Sequence, residues 1–450
     1  MNYRKALNTI MSLSAFCLFF ILLPAIPPSC AGAIAEREVL PNGITLLHAE
    51  KKAIPIIRVV VAIRAGSIAE TFDRAGLANL TADLLNEGTI KRSSKEISEA
   101  IEFVGGALNT SGGQDYITVT LSILKKDADL GFDLLSDVIL NPAFKEDEIQ
   151  RRKALLKSFI RQQKEEPEVV ASKTFLKAVF GEHPYGWPVE GKEESLDNIT
   201  RQDIVDFHKT WYVPNNAVMA VVGDISSDEL KSLLNRYFSD WTKRNISIKP
   251  LPAVKSGSAP VVIKINKDTK QANIILGHTG IKRDNPDYYA VSVMNYILGG
   301  GGFASRLVDN IRDNKGLAYS VHSSFTAQKY AGDFQAGLQT KNESANIAIG
   351  EILREMGRMQ SELVSDKELD DAKAYLTGSF ALRVDSNSKI ANFLVALEIY
   401  NLGLNYIDNY RGFINKVTKE DITRVAGNYL NTKDYVLVVV GDLSKATLRY

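Results

Sequence analysis

The run Ile56-Ile57-Arg58-Val59-Val60-Val61-Ala62-Ile63 is apolar and largely β-branched, the pattern of a buried strand. Residues 115–124 alternate apolar with polar and predict a second strand. Over residues 76–86, Leu77, Leu80, Leu84 and Leu85 recur at helical spacing and predict a helix with an apolar stripe. Residues 127–140 and 145–163 are helical by periodicity and composition, and Leu155, Leu156, Phe159 and Ile160 read as core-packing positions of the second helix. Residues 218–222 predict a strand closed by Gly223, and residues 288–298 a helix. Strands interspersed with helix pairs and hairpins predict an α+β fold, a mostly antiparallel sheet with helices packed on one face.

The pattern occurs twice. Ile199-Thr200-Arg201-Gln202-Asp203-Ile204 returns as Val417-Thr418-Lys419-Glu420-Asp421-Ile422. Val218-Met219-Ala220-Val221-Val222-Gly223-Asp224 returns as Val436-Leu437-Val438-Val439-Val440-Gly441-Asp442. One ungapped offset serves both blocks, 218 residues from Thr200 to Thr418. A period this long excludes a solenoid and indicates a duplicated domain. Proline, glycine and serine make up half of residues 249–260, the composition of a linker, which is placed at 246–260. The expected organisation is two homologous α/β-roll sandwich domains, 36–245 and 261–450.

Composition narrows the function classes. The chain has 450 residues, 24% of them charged, with a formal charge of +1, which gives no electrostatic case for a nucleic acid or an anionic membrane as partner. Its two cysteines, Cys17 and Cys30, neither frame a disulfide scaffold nor have zinc-finger spacing. Residues 1–33 stand apart: Arg4 and Lys5, an apolar run through Leu23, then prolines and small residues, the layout of a secretory signal peptide. The expectation is export to a bacterial periplasm with cleavage after Ala31 or Ala33. Cys30 admits a lipoprotein reading, against which Pro27 stands; membrane contact is expected only through such a lipidated or uncleaved N-terminus. Cleavage removes both cysteines, which suits an oxidising compartment.

Several segments carry a resemblance. Leu40-Pro41-Asn42-Gly43-Ile44 leads into the first strand, followed by Ala75-Gly76-Leu77-Ala78-Asn79-Leu80-Thr81-Ala82-Asp83-Leu84-Leu85-Asn86-Glu87-Gly88. His183-Pro184-Tyr185-Gly186 and Trp211-Tyr212-Val213-Pro214-Asn215-Asn216 come later. Nearly the whole chain beyond the leader resembles the pitrilysin/insulinase family of inverted zinc peptidases, whose helix carries H-x-x-E-H. The resemblance puts Asn79 at the first histidine, Ala82 at the glutamate, Asp83 at the second histidine and Phe159 at the third ligand. Catalytic zinc takes three nitrogen, sulfur or carboxylate ligands and an open water position. An amide, a methyl, one carboxylate and a phenyl ring do not supply them. The five histidines, His48, His183, His208, His278 and His322, never fall within one helical turn of each other. No metal and no catalytic residue are therefore expected in this chain. Glu87, just past the helix, reads as solvated, and His183 as structural.

The second half keeps what the first has lost. Gly299, Gly300, Gly301 and Gly302 precede Arg312 and Tyr319. By its residues alone Arg312 is equally a surface ion pair with Asp309 or Asp313, and Tyr319, alternating with Leu317 and Val321, equally a packed side chain. The glycines fit a helix stop, a substrate-contacting segment or, weakly, a phosphate cradle without its G-K-[ST]. The resemblance implies more: an arginine/tyrosine pair that binds the substrate backbone, as in zinc-less subunits similar to the α subunit of mitochondrial processing peptidase and its bacterial homologues. It implies a non-catalytic, substrate-binding subunit paired with a zinc-bearing paralogue as a heterodimer acting on peptides or unfolded proteins. The alternative is a non-enzymatic peptide-binding or scaffold protein of the same fold. No nucleophile–base constellation supports an autonomous peptidase.

Overall fold

The computed structural model describes residues 34–247, 250–254, 257 and 259–450. The expected leader, residues 1–33, lies outside them, as do residues 248, 249, 255, 256 and 258 of the linker. The first half runs β1 (Glu36–Val39), β2 (Thr45–Glu50), β3 (Ile56–Ile63), α1 (Leu77–Leu84), α2 (Ser94–Phe103), β4 (Ala107–Ser111), β5 (Ile117–Leu124), α3 (Ala128–Leu140), α4 (Glu146–Glu165), α5 (Pro167–Phe180), α6 (Glu193–Asn198), α7 (Arg201–Trp211), β6 (Ala217–Gly223) and α8 (Ser227–Phe238). The second runs β7 (Val261–Asn266), β8 (Gln271–Thr279), α9 (Tyr288–Asn295), β9 (Ala318–Ala327), β10 (Gly332–Lys341), α10 (Ala345–Ser361), α11 (Asp366–Gly378), α12 (Asn387–Ile399), α13 (Tyr406–Asn415), α14 (Lys419–Tyr429) and β11 (Val436–Gly441).

Each half builds one sheet. The strand orders are β1-β2-β6-β3-β5-β4 and β7-β11-β8-β10-β9. Removing β1 makes them superimposable in topology: one parallel step (β2 with β6, β7 with β11), then antiparallel ladders to the far edge. The repeat reaches individual caps. Thr200 accepts the Asp203 N–H at the start of α7, Thr418 accepts the Asp421 N–H at the start of α14, and both aspartates reach back to the cap residue. Such caps contribute about 1 kcal/mol each.

The continuous apolar strands have a cause: both faces of each sheet's central strands are covered. Ile57, Val59, Val61 and Ile63 of β3 face the first half's own helices, and Val60 and Ala62 face the other way. That second face is covered by α12, a helix of the second half, packed on β3 and β6. Reciprocally, α5 of the first half lies on β8 and β11, where Ala171, Phe175 and Val179 meet Ile275, Val436, Val438 and Val440. Phe175 lies so close to the sheet that a Cβ on Gly277 would sit 2.8 Å from its ring. The halves thus exchange one helix each.

Polar contacts pin the seam. The buried Asp115 carboxylate accepts from the Tyr185 hydroxyl, from the Tyr400 hydroxyl at 3.0 Å and from the Lys329 N–H at 3.4 Å. Glu398 on α12 accepts two Arg37 N–H groups at 2.9 Å and lies 3.4 Å from Arg64. His183 is buried, with its ring 4.6 Å from that of Tyr185 and burial lowering its pKa, and its Nδ1 accepts the Tyr185 N–H; its role here is packing.

Candidate functional site

Helix α1 is held from its N-terminus. Gly76 takes φ of 99°, and the buried Glu70 carboxyl accepts the Gly76 N–H at 3.0 Å and the Ala78 N–H at 2.5 Å. Burial pushes Glu70 up to about 8, against the lowering effect of those two donors. On the face one turn further, Asn79 donates to Asp83 at 3.4 Å and Ala82 is fully buried. Arg152 of α4 places Nε and Nη2 each 3.1 Å from Asp83 Oδ2. Burial raises the Asp83 carboxyl, and the Arg152 hydrogen bond and charge lower it. Glu87 is mostly covered and bridged by Arg151, so the expectation of a solvated side chain is corrected.

Phe159 also departs from expectation. It is 50% exposed and Leu155 51%, whereas Ile160 is buried. The buried line of α4 is Ile149, Lys153 and Ile160. At about 100° per residue, Leu155 and Phe159 fall about a quarter turn or more from that line. Phe159 is therefore a surface side chain, and the core-packing reading fails for it and for Leu155.

This donor set does not fit zinc. The one carboxylate is already satisfied by a guanidinium, and the remaining positions carry an amide, a methyl and a phenyl ring. Among the described residues no group of three His, Cys, Asp or Glu side chains could hold a metal ion. His48 and His208 instead lie 3.0 and 2.8 Å from the carbonyls of Ile225 and Ile139.

The counterpart region of the second half is built differently. Helix α9 does not stop at residue 298: it continues as a π-helical turn, Tyr296–Gly300, that takes in the first two glycines. A second π-helical segment, Val308–Asn314, carries Arg312. Such turns are rare and cluster at functional sites. Gly299 is buried, and a Cβ there would lie 2.5 Å from Ser323 Oγ and 2.7 Å from Ser323 N. It allows close packing on β9 and has no surface for a substrate, which corrects its place among the expected contacts. A Cβ on Gly301 would lie 2.7 Å from the Tyr296 carbonyl oxygen. Gly300 and Gly302 are exposed, and Gly302 takes φ of 57° with open space around it.

Arg312 and Tyr319 stand together at the surface. The guanidinium carbon is 5.5 Å from the Tyr319 ring centre, and Tyr319 is 85% exposed. The nearest carboxylate to Arg312, Asp313, is at 3.6 Å, so the ion pair is loose and not hydrogen-bonded. Tyr319 is the second residue of β9, the edge strand of its sheet. The packed alternative for Tyr319 is excluded by its exposure. A second aromatic ring joins them: Phe303, 78% exposed, with its centre 4.7 Å from the Arg312 guanidinium carbon. Its signal was faint, one large apolar residue beside four glycines.

Known proteins resemble this chain across both halves. The family model described as Insulinase (Peptidase family M16) matches residues 46–193, and that of the Peptidase M16 inactive domain matches residues 198–376. An uncharacterized zinc protease of Mycobacterium leprae is 30% identical over 92% of this chain and 93% of its own. One of Bacillus subtilis is 25% identical, covering 90% and 98% respectively. Among solved structures, a peptidase M16 inactive domain from Pseudomonas fluorescens matches with a TM-score of 0.84 and 29% identity over 90% of this chain and 98% of that one. A protease from Helicobacter pylori, at 22% identity, shares the fold with a TM-score of 0.83 over 90% of this chain and 99% of its own.

Proposed function

Because the chain belongs to the insulinase family of peptidases, family M16, we propose that it is the non-catalytic, substrate-binding subunit of a two-chain zinc peptidase acting on peptides or unfolded proteins. One observation carries the reading: the α1 face has no donor set for zinc, while a half-buried Arg312 stands beside an exposed Tyr319. The free guanidinium N–H groups of Arg312 suit a peptide carbonyl, and the Tyr319 hydroxyl offers a second donor. An extended segment would add at the Tyr319 end of β9, the edge strand, through backbone hydrogen bonds. A paralogous partner with an intact H-x-x-E-H helix would supply the metal that activates water. Export to the periplasm is part of the proposal and rests on the leader pattern of residues 1–33 alone.

Co-expression with such a paralogue tests the reading. Cleavage of an unfolded fluorogenic peptide is expected only when both chains are present, and Arg312→Ala is expected to lower it about 100-fold. Cleavage by the paralogue that is indifferent to this chain overturns the proposal and leaves a peptide-binding or scaffold protein.

A further inference from the structure

Phe303 is displayed at the surface on an anchored turn. The Ser305 hydroxyl donates to the Gly302 carbonyl at 2.6 Å, and the Ala304 N–H to that of Gly301 at 3.2 Å. Arg306 grips Glu368 of α11 with two hydrogen bonds, 2.6 and 3.1 Å long. Phenyl rings gain by burial, yet here a well-tethered turn keeps one in water. The ring is also not isolated. Arg312 lies between Phe303 and Tyr319, so ring, cation and ring form one continuous platform. Guanidinium groups stack on aromatic faces while their in-plane N–H groups stay available. An extended peptide alternates its side chains at each residue. One whose carbonyl is held by Arg312 brings a neighbouring side chain against Phe303.

We propose that Phe303 is a specificity-determining residue, reading an apolar side chain on an extended peptide whose backbone is held by Arg312 and Tyr319. The inference rests on the peptide-binding reading of that pair and adds the substrate class: unfolded segments carrying a leucine- or phenylalanine-like residue beside the held carbonyl. A polar side chain there would cover the ring without gaining from its desolvation.

The test uses the purified chain, alone and with its zinc-bearing paralogue, and two sets of short fluorescein-labelled peptides of equal net charge. One set carries Leu or Phe, the other Ser at the same positions, and anisotropy reads affinity. The wild type is expected to favour the apolar set by about tenfold. Phe303→Ser should abolish the preference by weakening the apolar set far more than the Ser set, and Phe303→Leu should keep most of it. Arg312→Ala should weaken both sets alike. A preference that survives Phe303→Ser overturns the specificity assignment and leaves peptide binding by Arg312 standing. Binding of both sets untouched by Arg312→Ala, or absent in the wild type under both conditions, overturns the peptide-binding reading itself.

Discussion

Arg152 holds Asp83 by two contacts of 3.1 Å across the α1–α4 interface. The cation at this helix face is thus part of the polypeptide. Arg152→Ala would leave a largely covered carboxylate beside Glu87 with no counter-charge. A loss of about 1–3 kcal/mol is expected, read as a lower denaturation midpoint with an unchanged slope. Asp83→Asn should lose less, because the amide can still accept from Arg152.

Zinc should stay out of this chain. After dialysis against zinc and then buffer, the wild-type protein should retain well under one equivalent by elemental analysis. The quadruple variant Asn79→His, Ala82→Glu, Asp83→His, Phe159→Glu restores the family's donor types and should retain more. Arg152 remains as a competing charge, so adding Arg152→Ala should raise retention further.

Glu70 makes stability depend on pH with a definite sign. Its folded-state value of about 8 lies above the ordinary carboxylate value, so its contribution is fully present below about pH 4.5 and is lost as pH rises toward 8. Over that window the slope is about 1.4 kcal/mol per pH unit at most. Glu70→Gln cannot ionise. Its stability relative to wild type should therefore climb between pH 5 and 8 and level off above, as measured by urea denaturation at each pH.

Asp115 accepts from Tyr185 and Tyr400, one on each side of the repeat. Tyr185→Phe and Tyr400→Phe should each cost about 1–3 kcal/mol. A double-mutant cycle should show the two effects coupled, because both hydroxyls serve one carboxylate.

The glycines should separate by role. Gly299→Ala drives a methyl into Ser323 and should cost about 1–3 kcal/mol. Gly302→Ala meets only the left-handed backbone penalty, about 1 kcal/mol. Thermal melts of the two variants compare them directly.

Much of the fold was legible because these strands are covered on both sides. Such strands read as unbroken apolar runs, and β3 and β6 appear in the sequence as Ile56–Ile63 and as the valine-rich block before Gly223. The ungapped offset announced the duplication, which the matched capping boxes of α7 and α14 bear out. Helix coverage was not legible: an apolar stripe on α5 or α12 says that a helix is buried, not which sheet it covers. Adjacent apolar pairs on α4 misled for a similar reason. Leu155-Leu156 and Phe159-Ile160 each offer two phases of one helix, and only tertiary packing selects Leu156 and Ile160. The Arg152–Asp83 pair joins positions far apart in the chain. Phe303 had no periodic pattern to mark it.

The traded helices bear on how this molecule can be taken apart. A fragment ending in the linker would keep α5 with nothing to lie on and leave the back of β3 and β6 bare, and its complement would be stripped likewise. Severing the chain there should give two sticky, poorly folding pieces that recover solubility only when mixed. The expected folding unit is the full double repeat, because each half roofs the other's sheet.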